Sequence, residues 1–441
     1  MKTSLLLILP MAVTLTVHAQ QTAPAETPGS EGSPAPPTLA AQQAQKQPRS
    51  EQNGQNYLTG GLAISQVFTD NAEMAPSGTI NDLSYNIEPY VAVNHSTTRL
   101  SYNAGIFAGF TANRTLSERN MAAQTGSFDV SARLTQFTTL RLSDSFSNTT
   151  GLWSGAGVGG DFESTGIGVL QQPNRSAFTF GRYRTNDVLG ELSHQFTLNG
   201  VGGVRGTQSF MWFPESATSS VLGTLYGGKT YTAEAFYNYR FNRRHWVGVT
   251  LRGQRFDLAR SVGRTDTLSP IFSYGLGIQP GMSLSLFAGP QFSVTALPQG
   301  LPVLDSAFSR RRWSPLTGAV FSWEHQRTGA TASFVRGVSD GAGLASAVTL
   351  STAEAALTRQ LSRLWQAGVS FAYTRNEPIV PSQAIRTYSG SLQVASQLTR
   401  NIALTGGYGR DSNRAVGTGV NASADRIWVS VSFSFLRPLG L

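Results

Sequence analysis

The chain has no cysteine in 441 residues. Disulfides, thiolate chemistry, cysteine-held metals and a lipid-modified cysteine behind an export signal are therefore excluded. Lysine is nearly absent as well, occurring only at Lys2, Lys46 and Lys229, so the formal charge of +9 rests almost wholly on arginine. Charged residues make up only 13% of the chain, spread through turns and strand ends without the clustering among aromatics that nucleic acid would require. Nucleic acid is thus not an expected partner. Beyond the N-terminus no apolar run approaches the ~20 residues of a membrane-spanning helix.

What is present is alternation. Leu83, Tyr85, Ile87, Val91 and Val93 form one run, Leu100, Tyr102, Ala104, Ile106, Ala108 and Phe110 a second, and Trp365, Ala367, Val369, Phe371 and Tyr373 a third. The residues between them are mostly Ser, Asn, Thr, Gly or Gln, which gives each segment one oily and one wet face at the period of a β-strand. The wet faces are too continuous for a sandwich core. A closed sheet with lipid outside and water or polar side chains inside satisfies the pattern, because in a bilayer every backbone amide must pair within the sheet. The mean hydropathy of -0.14 is compatible with this, since only alternate strand residues meet lipid.

Three regions follow. Residues 1–19 read as a secretory signal, with Lys2 ahead of an apolar core from Leu5 to Val17 and a small-residue cleavage motif at Val17-His18-Ala19. Residues 20–56, rich in Pro, Gln, Ala, Ser and Gly, read as a disordered periplasmic tether: a spacer, or a docking arm for a periplasmic or cell-wall partner. Residues 57–441 read as an all-β, transmembrane, antiparallel up-and-down barrel of about eighteen strands, with sixteen as the alternative. Expected strand starts lie near Tyr57, Leu83, Leu100, Ser127, Leu140, Val188, Val201, Thr230, Val247, Ile271, Ser283, Ser314, Gly329, Val348, Trp365, Thr387, Ile402 and Arg426.

Short connections such as Asn94 to Thr98 and Gln279 to Gly281 alternate with long ones such as Asp70 to Asn81 and Ser147 to Asp187. Short turns on the periplasmic side and long loops outside would place both chain ends in the periplasm. A loose turn-plus-strand repeat runs through Arg133 to Leu140, Leu357 to Leu364 and Gln397 to Ile402. Trp323 and Trp365 fall at the short-turn level on the lipid parity, with Trp246 close to that level. Trp313 and Phe210 to Phe213 fall at the opposite level, whereas Trp428 has inward parity. Two strands fit poorly: Ala347 to Leu357 places Glu354 on the oily parity unless a bulge shifts the phase, and Val201 to Phe210 is glycine-rich and weakly patterned.

On these runs the chain resembles bacterial outer-membrane β-barrel proteins, porin-like in the broad sense, with no signature of one named family. The final run Ile427 to Phe435 resembles the C-terminal strand read by the barrel assembly machinery, although six residues, Leu436 to Leu441, follow it. The resemblance implies a pore for passive diffusion or export of polar solutes, or, as the alternative, a structural or surface-interaction barrel with a plugged lumen, with polysaccharide export as one setting for it. It implies outer-membrane lipid and lipopolysaccharide as surroundings, the assembly machinery as a partner during insertion, and either a single barrel or a homo-oligomer.

Inward parity selects Glu88, Asp129, Arg133, Arg141, Glu191, Glu234 and Arg240 as lumen-lining candidates. Arg310, Arg311 and Arg312, above Trp313, are candidates for lipopolysaccharide phosphates, because guanidinium forks suit phosphate. The histidines after the signal, His95, His194, His245 and His325, sit beside separate turns, so neither a catalytic triad nor a metal cluster is expected. Gly155 to Gly160 spells Gly-x-Gly-x-x-Gly but lacks the strand and helix that dinucleotide binding needs. Its loop is a lumenal constriction or a surface loop. No cofactor and no enzymatic activity are expected.

Overall fold

The computed structural model describes residues 56–117, 120–150, 182–213, 218–219, 223–224, 227–258, 263–297, 308–339, 347–379, 384–416 and 420–438. The signal, the tether except Asn56, and the Gly155 to Gly160 motif lie outside them. Eighteen long strands carry the fold: β1 (Tyr57–Thr69), β2 (Asp82–Ser96), β3 (Leu100–Asn113), β4 (Met121–Arg133), β5 (Thr138–Thr150), β6 (Arg182–Gln195) and β7 (Gly200–Trp212) come first. Two-residue strands β8 (Thr218–Ser219) and β9 (Gly223–Thr224) form a separate ribbon. The wall resumes with β10 (Gly228–Arg240), β11 (His245–Leu258), β12 (Arg264–Gln279), β13 (Met282–Leu297), β14 (Phe308–His325), β15 (Thr328–Ser339) and β16 (Val348–Gln360). It ends with β17 (Trp365–Pro378), β18 (Ile385–Gln397), β19 (Ile402–Ala415) and β20 (Asn421–Pro438).

Every long strand pairs antiparallel with its neighbours in the chain, β7 meets β10, and β20 returns to β1, so the sheet closes. Closure removes the edge that an open sheet would leave unpaired. The seam runs from Thr69 opposite Arg426 to Tyr57 opposite Pro438. The closing strand thus extends past Phe435, and Leu436, Arg437 and Pro438 belong to the ladder.

The expected starts of β4, β6, β12, β14 and β20 are late by five to seven residues, all at the end of the barrel with the longer connections. A strand needs ~9–11 residues to cross a bilayer, whereas these have 13 to 18. The surplus is hydrophilic wall beyond the oily band, where no apolar alternation marks it. Glu354 is a second correction. It pairs with Ser333 and Ala372 on the inner face, while Ala355 and Leu357 face outward beside Phe371 and Val369. The apolar Val348 and Leu350, which set the sequence phase, are buried on the inner side.

The outer face is apolar and exposed: Ile64, Ile87, Val91, Ile106, Phe110, Leu251, Phe272, Phe371, Leu392 and Val429 all point away from the axis. Asp144 is an exception, outward at mid-strand opposite Phe128 and Val188, where it accepts a hydrogen bond from Asn186 Nδ2 at 2.7 Å. The inner face carries Ser65, Asn86, Thr232, Gln254, Ser269, Gln291, Thr374 and Ser430, all buried.

The loose repeat has a physical basis in the turns. Side-chain oxygens of Thr97, Thr135, Asn242, Ser362 and Thr399 each accept two backbone N–H bonds from the residues two and three positions later. Such capping closes a short hairpin without a special backbone angle at these residues. The β12–β13 turn uses Pro280 and Gly281 instead, with Gly281 at φ +77°, the pattern of a type II turn. A Cβ at Gly281 would lie 2.2 Å from the Glu324 carbonyl oxygen. Gly281→Val is therefore expected to cost about 1–3 kcal/mol. The check is the urea midpoint of the folded protein in detergent, and an unchanged midpoint would count against this account of the turn.

The glycines that blur β7 also have a purpose. A Cβ at Gly203 would stand 2.8 Å from the Phe236 ring and 2.4 Å from the Leu192 carbonyl oxygen. The missing side chain makes room for an inward aromatic on the next strand.

Candidate functional site

The inner wall carries one continuous charged feature, built because neighbouring strands bring alternate charges into register. Arg141 on β5 is directly opposite Glu191 on β6, Glu191 is opposite Arg205 on β7, Arg205 is opposite Glu234 on β10, and Glu234 is opposite Arg252 on β11. Asp129 on β4 joins diagonally, accepting from Arg141 Nε at 2.8 Å. The contacts continue from Arg205 Nε to Glu191 Oε2 at 2.8 Å, from Arg205 Nη1 to Glu234 Oε2 at 3.4 Å, and from Arg252 Nε to Glu234 Oε1 at 2.6 Å. Three acids and three bases thus alternate across six strands with no net charge.

Burial divides the ladder in two. Glu191, Arg205, Glu234 and Arg252 are all under 8% exposed, while Asp129 and Arg141 keep 38% and 22% of their side-chain surface. The Arg252 Nη2 group is buried with no hydrogen-bond partner among the described residues. Fixed ion pairs in a low-dielectric wall interact far more strongly than in water. They tie the strands from β4 to β11 together and present an alternating potential toward the barrel axis.

Beyond Arg252 the wall changes character. Ile271 on β12, Phe287 on β13, Leu316 on β14 and Val335 on β15 point inward and form one buried apolar cluster. A second buried apolar cluster joins Phe256, Val338, Ala347 and Ile379 at the long-loop end. Further round, Asp411 and Arg426 form an ion pair between β19 and β20. Trp428 lies on the inner face over Gly407, where a Cβ would come within 2.3 Å of its ring. The inner wall is therefore charged over one arc, greasy over the next and mixed polar elsewhere.

Of the lumen-lining candidates, Asp129, Arg141, Glu191 and Glu234 meet in the ladder. Glu88 is on the inner face opposite Ala63, buried, with no cation in ion-pair range among the described residues. Arg133 ends β4 at the rim. Arg240 also reaches the rim, but its guanidinium donates to the carbonyls of Asn242 and Arg243 and closes the β10–β11 turn. Arg205 and Arg252 were missed by sequence reasoning. Strict alternation through Gly248, Thr250, Arg252 and Gln254 would have revealed the second; the glycines of β7 hid the first.

The arginine run on β14 splits between faces. Arg311 is outward, opposite Val294, whereas Arg312 is inward, opposite Ser293. Arg310 pairs with Thr295 in the backbone ladder, and its side chain lies outside the described residues. The run is therefore not one patch facing lipid.

All four histidines point outward at the short-turn end, each beside an aromatic ring. His95 stacks on Tyr102, His194 packs against Phe196, His245 meets the Tyr274 hydroxyl at 2.7 Å, and His325 stacks on Trp323. They belong to an interfacial girdle with Trp323 and Trp365. His194 Nδ1 is 2.9 Å from the Thr138 hydroxyl, yet among the described residues no carboxylate completes a triad there. No group of three His, Asp or Glu able to hold a metal exists among the described residues.

No family model matches this chain, and no curated protein matches it. Solved barrels from Pseudomonas aeruginosa do overlay on it. OpdK with vanillate aligns at TM-score 0.42 and 10% identity, over 86% of this chain and 99% of that one. OccK2 (OpdF) in complex with glucuronate aligns at 0.44 and 10%, over 87% and 98%. OpdO aligns at 0.42 and 11%, over 87% and 97%. On its own strands and register, the chain is a closed eighteen-stranded antiparallel barrel, apolar outside and polar within.

Proposed function

We propose that the protein is an outer-membrane channel for passive diffusion or export of small polar solutes, with no chemistry of its own. The observation that carries this reading is the closed wall whose outer face is apolar and whose inner face holds the Asp129 to Arg252 ladder. Eighteen strands enclose more space than inward side chains alone can fill. An alternating charged wall orders polar solutes without trapping either sign.

The connections support an orientation. At one end they span two to four residues; at the other every connection has five or more. Both ends of the described wall, Tyr57 and Pro438, lie on the short side, which supports a reading with both termini in the periplasm and the longer loops outside. Lipopolysaccharide and the assembly machinery are then the surroundings this barrel meets.

A second reading is favoured by one observation. Inner side chains are closely covered, with Ser269 and Asn376 at 0% exposure. That suits a barrel whose lumen is packed shut and whose loops bind a partner, with polysaccharide export as one setting for it. Planar bilayer recordings of refolded protein separate the two. Discrete conductance steps are expected, and a silent bilayer with protein shown to be inserted would favour the packed barrel.

A further inference from the structure

Three arginines stand side by side on the outer face where β17, β18 and β19 meet the long-loop end. Arg375 is directly opposite Arg386, and Arg386 is directly opposite Arg414. Like charges in opposed positions repel and destabilise a sheet, so such a row needs a counter-charge. Glu377 pairs with Arg375 and approaches Arg336 at 4.0 Å, but Arg386 and Arg414 have no carboxylate partner among the described residues. The Nε atoms of Arg375 and Arg386 are buried and make no hydrogen bond among those residues.

The β11–β12 pair shows what compensation looks like on the same face. There Asp266 accepts from Arg255 Nε at 2.9 Å and from Arg264 Nε at 2.8 Å, so the protein supplies its own anion. The β17–β19 row does not.

Its surroundings name the missing partner. Two residues below Arg375 and Arg386, Tyr373 and Tyr388 face each other with ring centroids 5.1 Å apart. Below them Phe371 and Leu392 are exposed on the same oily face. Tyrosines mark the level where acyl chains give way to head groups. A ligand fitting all three tiers has anionic oxygens for guanidinium forks, a polar linker at the tyrosines and hydrocarbon beneath.

We propose that the outer face of β17, β18 and β19 binds the phosphate groups of a phosphorylated glycolipid in the outer leaflet, through Arg375, Arg386 and Arg414. The proposal rests on the outer-membrane location and on the long-loop end facing outward, but not on conduction. Free phosphate would use the arginines alone and gain nothing from the greasy strip.

The test reconstitutes the full barrel in zwitterionic vesicles doped with lipid A, extracts it in mild detergent and measures retained lipid A by mass spectrometry. Wild-type protein is expected to retain lipid A and to lose at least three-quarters of it when the lipid is dephosphorylated. The R375Q/R386Q/R414Q variant should retain several-fold less, with unchanged single-channel behaviour and unchanged heat-modifiable mobility. Equal retention of the dephosphorylated lipid, equal retention by the folded triple variant, or full displacement by millimolar inorganic phosphate would each overturn the assignment. If the variant fails to fold, the dephosphorylation arm on wild-type protein still decides it. A silent channel that nonetheless retains lipid A would remove the pore and keep this site.

Discussion

Arg205→Ala is expected to cost the barrel about 3–5 kcal/mol, because it breaks a buried pair and leaves uncompensated charge behind. The loss is doubled in kind here, since Arg205 stands between Glu191 and Glu234 and contacts both. Its removal leaves two carboxylates on either side of β7 with one fewer cation, and Arg252 remains only for Glu234. Urea titration in detergent, followed by the mobility shift between folded and unfolded barrel, measures the effect. The triple change E191Q/R205M/E234Q removes charge and countercharge together and should recover most of the stability, since replacing a whole buried ionic group by neutral residues is often neutral. It should also alter ion selectivity, which the reversal potential under a salt gradient reports. If R205A unfolds at the wild-type midpoint, the ladder is not holding β6, β7 and β10 together.

The second large effect tests the other face. Ile106 is near the middle of β3, 46% exposed, opposite Val91 on β2 at 50%. In water such exposure would be a liability; in a bilayer it is contact with acyl chains. Ile106→Arg is therefore expected to lose about 2–4 kcal/mol in vesicles, the cost of an arginine at the lipid midplane of a barrel. Ile106→Ala, which removes apolar contact without adding charge, should cost less. Urea midpoints of vesicle-reconstituted protein read both. An arginine tolerated at this position would mean that this wall does not meet hydrocarbon.

The architecture was legible because burial in lipid imposes a period of two on one face only. Runs such as Leu100 to Phe110 carry that period without interruption, and the chain's alternation of short and longer connections fixes the parity of the strand count. Legibility failed wherever lipid ceased to act. Above the oily band β14 and β20 continue as hydrophilic wall, so their starts are invisible. At the long-loop end of β16 apolar residues occupy the inner face, so that Val348 and Leu350 misled the phase of Glu354. The ladder was half legible for a related reason. Parity alone identifies Glu191 and Glu234 as inward, but their partners follow only from register between strands, which a single sequence does not display. The same applies to the outward arginines: Arg375, Arg386 and Arg414 are scattered across forty residues and become neighbours only when β17, β18 and β19 align.

The seam between β1 and β20 has a further consequence. Tyr57 and Pro438 begin and end the described wall, yet they face each other, so the contacts of greatest sequence separation are the ones that complete the cylinder. Bringing together such distant segments carries the steepest loop-closure entropy. On that side β1 has no mate until β20 has been synthesised. Biogenesis is thus an all-or-nothing event: a nascent fragment, however well paired internally, keeps two raw margins that water or a chaperone must shield until the ring is whole.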